Sequence, residues 1–110
     1  MPLSEPARIE IYVPDLPVLA YRNLLESLES EFTYTFGGCI VLRGLDGSYL
    51  SASGAKIQDR INLIYTDAPL RFSENIKRLS RYCSELKQAS FEALSEEAIL
   101  IVVTQIYHAD

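Results

Sequence analysis

Alternation opens the chain. Residues 8–13 place Ile9, Ile11 and Val13 on one side and Arg8, Glu10 and Tyr12 on the other, the period-two pattern of a half-buried strand. Pro14 ends the run, Asp15 is placed to cap a following helix, and Pro17 is tolerated in a first turn because its missing N–H is unused there. Leu16, Leu19, Ala20, Leu24, Leu25 and Leu28 then recur at helical spacing, predicting a helix to about residue 30.

From Phe32 to Thr66 the chain changes to Tyr, Thr, Phe, Ile, Val and Gly, with turn signals at Asp46-Gly47 and Ser53-Gly54. This predicts a hairpin region. It leaves two pairings open: one long strand with a bulge near 44–47, or an extra strand at 48–52 in a three-stranded meander. Gly37-Gly38 suggests a further bulge or a close backbone approach. A third strand is predicted over 57–66, with Ile61, Leu63 and Tyr65 on one face and Arg60, Asn62, Ile64 and Thr66 on the other. Asp67-Ala68-Pro69 closes it. Ser73 is a good N-cap, and Ile76, Leu79, Cys83 and Leu86 form the core stripe of a second helix reaching about residue 92.

The last strand, Ala98 to Tyr107, is apolar on both sides: Ile99, Ile101 and Val103 point one way and Leu100, Val102 and Ile106 the other. A strand of that kind needs cover on both faces. The element order is β-α-β-β-α-β, the ferredoxin-like α+β arrangement of a four-stranded antiparallel sheet with two helices on one face. The other face would then carry Leu100, Val102, Ile106, Ile64 and Tyr12 or Tyr34. A patch of this size marks an interface, and the simplest cover is a second copy, as in dimeric α+β barrels. The expected partner is therefore the chain itself, as a homodimer or higher homo-oligomer joined through the sheet face.

The segment Gly38-Cys39-Ile40-Val41-Leu42, the Gly47-x-Tyr49 pair, Gly54, and Asp59 ahead of Ile61-Asn62-Leu63-Ile64-Tyr65 resemble small bacterial ferredoxin-like domains of unassigned function. The resemblance spans most of the chain and rests on turn glycines and strand hydrophobics. It implies the fold and no activity. Relatives within the superfold serve as cofactor-free monooxygenases, signalling proteins, metal chaperones and RNA-binding modules.

At 110 residues a single domain over 1–110 is expected. Hydrophobic residues make up 48% and charged residues 23%, an ordinary globular balance. The longest apolar run, 98–103, falls far below the ~18–20 residues of a membrane-crossing helix, and residues 1–6 lack the features of a secretory signal. The expected location is the cytoplasm, with Cys39 and Cys83 reduced and no membrane partner.

A net charge of −5 argues against a nucleic-acid surface. Residues 71–87 nevertheless hold a local balance of +3, which reads more simply as one solvated helix face.

Candidate chemistry is sparse. His108 is the only histidine, placed two residues from the end, and with no second His or Cys at ligand spacing neither a metal nor a cofactor is expected. Cys39 follows two glycines, but without a firm cationic neighbour it reads as a small strand hydrophobe, and Cys83 reads as packing. Arg60 and Asn62 stand out because they are polar at alternate positions of a central strand. They fit either a cross-strand pair of the Arg60–Glu10 kind or the floor of a pocket in which Arg60 meets an anion and Asn62 and Tyr12 supply hydrogen bonds. Tyr34, Phe36, Tyr49 and Tyr65 could line an apolar cavity. The candidate ligand set is Arg60, Asn62, Tyr12, Tyr34 and His108. With it go two functional readings: a homo-oligomer that binds a small ligand or protein at the sheet face, and a cofactor-independent enzyme of the dimeric α+β barrel kind.

Overall fold

The computed structural model describes residues 3–4, 6–94 and 99–109, and β1 (Pro6–Pro14), α1 (Leu19–Phe36), β2 (Ile40–Leu50), β3 (Lys56–Arg71), α2 (Ile76–Leu94) and β4 (Leu100–Gln105) follow in chain order. The four strands form one antiparallel sheet in the order β2-β3-β1-β4, the ferredoxin-like order. Leu3–Ser4 also pairs with His108–Ala109 in a short separate ladder.

The alternation in β1 sets the register. Ile9, Ile11 and Val13 face the helices with no exposed surface, and they lie opposite Thr66, Ile64 and Asn62 of β3. On the other flank Ile9 and Ile11 meet Val103 and Ile101 of β4. Leu24, Leu25, Leu28 and Phe32 of α1 and Leu79 of α2 close this core from above.

This register reverses the faces expected for β3. Ile64, Asn62 and Thr66 lie inside, while Ile61, Leu63 and Tyr65 share the open face with Arg8, Glu10 and Tyr12. Asn62 and Thr66 are tolerated inside because each has a partner: the Thr66 hydroxyl donates to the Gly38 carbonyl at 2.6 Å, and the Asn62 oxygen accepts the Gly44 N–H at 2.9 Å. Polarity alone puts them outside, and these partners bring them in.

Helix α1 also runs further than predicted. The helical spacing continues through Phe32 and Phe36, whose rings meet edge to face at 6.0 Å, so packing overrides the strand preference of Thr33, Tyr34 and Thr35. Gly37 stops the helix. Its φ of 92° is the left-handed conformation, and its N–H donates to the Thr33 carbonyl at 3.0 Å. Tyr34 is thus a helix residue, not a strand residue.

Of the two pairings left open for 37–56, the structure has the long strand. The β2–β3 register shifts by one residue between Leu42 and Leu45, with Gly44 at φ 66° supplying the bulge. Asp46-Gly47 makes no turn, since Gly47 pairs with Asp59 within the ladder. The turn is at 51–55, closed by the Ser51 N–H on the Ala55 carbonyl.

Three element ends differ from expectation. β3 continues to Arg71 through an irregularity that absorbs Pro69. α2 starts at Ile76, where the Asn75 carbonyl accepts the Leu79 N–H, so Ser73 is not its cap. β4 is described from Leu100 to Gln105, and residues 95–98 lie outside the described residues.

Candidate functional site

Two polar clusters stand out, one on each side of the sheet. The first lies on the open face. Arg8 and Asp67 occupy directly opposed positions of β1 and β3, and the guanidinium donates to both carboxylate oxygens, at 2.8 and 3.2 Å. The Arg8 guanidinium carbon sits 4.5 Å from the centre of the Tyr65 ring. The hydrogen bond to Asp67 outweighs desolvation and holds Arg8 above its ordinary pKa. Beside it, Tyr12 donates to Glu10 at 2.7 Å, and that bond, with burial second, raises the phenol pKa.

Around these groups the open face is apolar. Ile40 and Leu42 of β2 lie opposite Tyr65 and Leu63 of β3, and Leu100 of β4 lies opposite Tyr12. Ile40, Leu42 and Leu100 are 48%, 42% and 57% exposed. Ile61, Leu63 and Val102 of the same face are half-buried by their strand neighbours.

The second cluster lies where β2 and β3 leave the sheet. Asp15, expected to cap α1, instead approaches Arg60 at 3.8 Å and accepts from the Asn62 amide at 3.5 Å, while its backbone N–H donates to the Arg60 carbonyl at 2.9 Å. Helix α1 starts after Val18 with no side-chain cap. The bulge needs glycine at 44 for its positive φ, while a side chain there would meet only the flexible end of Arg60, which is free to move aside. The cluster ties the bulge to the β1–α1 loop.

The structure brings Arg60 and Asn62 together with Asp15 and separates them from Tyr12, which lies on the opposite face beside Leu63. Tyr34 is on α1 and 89% exposed, and it forms no part of either cluster. His108 pairs through its backbone with Ser4, and its side chain, like that of Tyr49, lies outside the described residues. The cross-strand ion pair is Arg8–Asp67 and not Arg60–Glu10. Asp67 read as a strand-closing residue because Pro69 follows it. Asp15 was hidden because a carboxylate before a helical run reads first as a cap.

The helical layer has its own links. Tyr82 on α2 donates to Glu31 on α1 at 2.9 Å and stacks edge-on against Phe36 at 5.5 Å. Burial, and secondarily the bond to Glu31, push the Tyr82 phenol well above its ordinary pKa. Beside it a cleft of about 290 Å³ has Phe36, Leu70 and Leu79 along its floor and Arg78 and Arg81 among its lining residues. Cys83 is half-buried, and burial raises its thiol pKa. Cys39 lies 3.8 Å from the Thr33 hydroxyl and the Glu29 carbonyl. Among the described residues no three His, Cys, Asp or Glu side chains gather so as to hold a metal ion, and no helix is long and apolar enough to cross a membrane.

No protein-family model and no curated protein matches the chain. Solved structures do. CPII from Thiomonas intermedia K12, in a structure bound to ADP, AMP and acetate, aligns over 100% of this chain and 94% of its own, with a TM-score of 0.60 and 17% identity. The divalent cation tolerance protein CutA1 from Thermus thermophilus aligns over 96% of this chain and 87% of its own, at 0.59 and 17%, and CutA1 from Oryza sativa over 97% and 84%, at 0.53 and 16%. At this identity the likeness is one of fold, and the fold shared is the ferredoxin-like α+β arrangement described above.

Proposed function

We propose that the protein is a one-domain, cytoplasmic homo-oligomer whose subunits join through the open sheet face and that binds a small ligand. The observation that carries this is the apolar row of Ile40, Leu42, Leu63, Leu100 and Val102 on a face that neither helix covers. Burying such surface is worth about 25 cal/mol per Å², and the largest exposed patch of a monomer rarely exceeds a few hundred Å². The Arg8–Asp67 and Glu10–Tyr12 pairs suit such an interface because each polar group already has its partner before the face is covered.

The ligand half of the reading takes its support from the CPII neighbour, which was solved with ADP, AMP and acetate bound. Those three compounds are the first probes. The enzyme reading gains nothing from the geometry, since Tyr12 and Asn62 lie on opposite faces of the sheet.

Light scattering coupled to size exclusion tests the association. A dimer or larger assembly at micromolar concentration is expected, with Leu100→Asp returning it to monomer. A monodisperse wild-type monomer overturns the proposal. Thermal-shift titration with AMP, ADP and acetate to millimolar concentration tests the ligand class, and no shift with any of them removes that class.

A further inference from the structure

We propose that the hairpin arm beyond the sheet is a second part of the same interface, laying its apolar side across the open face of another copy of this chain. The inference rests on the association proposed above and adds to it a segment that, among the described residues, no helix or third strand accompanies.

β1 ends at Pro14, opposite Ile61, so the β2–β3 pairs from Asp46–Arg60 to Leu50–Lys56 form a two-stranded ribbon that leaves the four-stranded sheet. The molecule measures 46 Å along its longest axis against 28 and 24 Å along the others. A ribbon of two strands is marginal in water without something to pack on.

The ribbon is also sided. Asp46, Ser48, Lys56, Gln58 and Arg60 alternate onto the helix side and are exposed, with Leu50 at the tip the one apolar residue among them. The opposite side begins with the Leu45–Ile61 pair, in line with Leu42 and Leu63, and resumes at Ile57 beyond the Gly47–Asp59 pair; Leu45, Ile61 and Ile57 are half-buried. Both helices are on the wrong side of the sheet to cover it. Its single charged interruption is Asp59, opposite Gly47.

Dimensions favour a second copy as the occupant. Five ribbon rows at about 3.4 Å each give an arm of about 17 Å, close to the width of about 19 Å of four strands spaced about 4.8 Å apart. An arm can therefore cross a partner's sheet once, and a twofold axis makes the exchange reciprocal. The open face alone, about six residues deep, offers roughly 400 Å² in plan, about half of what each partner gives to a standard stable interface. The arm adds about 170 Å² in plan, from surface that is continuous with the face.

The test compares the full-length wild type with Ile57→Asp, with Gln58→Asp on the polar side, and with an arm-shortened chain in which residues 48–58 are replaced by Asn-Gly. Sedimentation equilibrium reads the dissociation constant, and far-UV circular dichroism checks that each monomer is folded. Ile57→Asp and the shortened chain are expected to weaken association at least tenfold, and Gln58→Asp to leave it within twofold. If both arm variants associate like wild type while Leu100→Asp dissociates, the arm proposal is overturned and the sheet-face reading stands. Equal losses from Ile57→Asp and Gln58→Asp overturn the sidedness on which it depends. A wild type that stays monomeric overturns both.

Discussion

On β1, Ile9, Ile11 and Val13 have no exposed surface, while Arg8, Glu10 and Tyr12, interleaved with them, remain half-exposed. Backbone, strand and neighbours are shared, so the difference between the two faces comes from what lies above each. One faces a layer of Leu24, Leu25, Leu28, Phe32 and Leu79. The other has no layer above it among the described residues, yet it carries nearly as many aliphatic side chains. Apolar content therefore does not tell which face is the core of the folded monomer, and the cover does.

The largest effect expected from this contrast is on stability. Ile11→Ala opens a cavity in a fully buried site and should cost about 2–5 kcal/mol, whereas Leu100→Ala on the open face should change the stability of the monomer by no more than about 0.5 kcal/mol. Urea unfolding at a concentration too low for association reads both values. Comparable losses would mean that the open face is packed in the monomer too, and the distinction between the faces would fail.

A smaller effect is expected at Asn62, a polar intrusion on the covered face. Asn62 is 9% exposed and its oxygen takes the Gly44 N–H that the bulge removes from the ladder. Asn62→Ala leaves that donor without its partner and should cost about 1–3 kcal/mol. Asn62→Asp keeps an acceptor for the Gly44 N–H but sets a second carboxylate against Asp15, so it should hold that amide without recovering the stability. Hydrogen exchange of the Gly44 amide distinguishes this from a general packing defect, because only loss of the tether accelerates that amide ahead of its β2 neighbours.

The same contrast explains what could be read along the chain. The order of elements was legible because β1 alternates and both helices carry apolar stripes, and these are local signals. The two faces of β3 were assigned the wrong way round because its residues are aliphatic on both sides, and only pairing with β1 tells that Ile64 is inside and Leu63 outside. Asn62 then joined Tyr12 in a candidate pocket that the register takes apart. Tyr34 and Phe36 were drawn into a strand by their β preference, although Phe32 and Phe36 continue the helical spacing of α1. The expectation of a partner at the sheet face comes from β4 alone, because Leu100 and Val102 oppose Ile101 and Val103 on a six-residue strand.

The least effect, and the one that bears most directly on the open face, concerns Arg8 and Asp67. Their side chains are 30% and 27% exposed, so in the monomer the pair is screened and Asp67→Asn should cost only about 0.2–1 kcal/mol. Covering the face enlarges the cost of breaking the pair. A guanidinium deprived of its carboxylate would then be desolvated without compensation, a situation worth about 3–5 kcal/mol when the burial is complete. The cost of Asp67→Asn should therefore rise with protein concentration, small where the chain is monomeric and larger where it is assembled. Measuring unfolding of wild type and variant across a hundredfold range of concentration gives this dependence. A cost that stays constant across the range would show that Arg8 keeps its water in the assembly, and would move the contact surface away from β1 toward the β2 and β4 edges, where Ile40 and Leu100 are the more exposed residues.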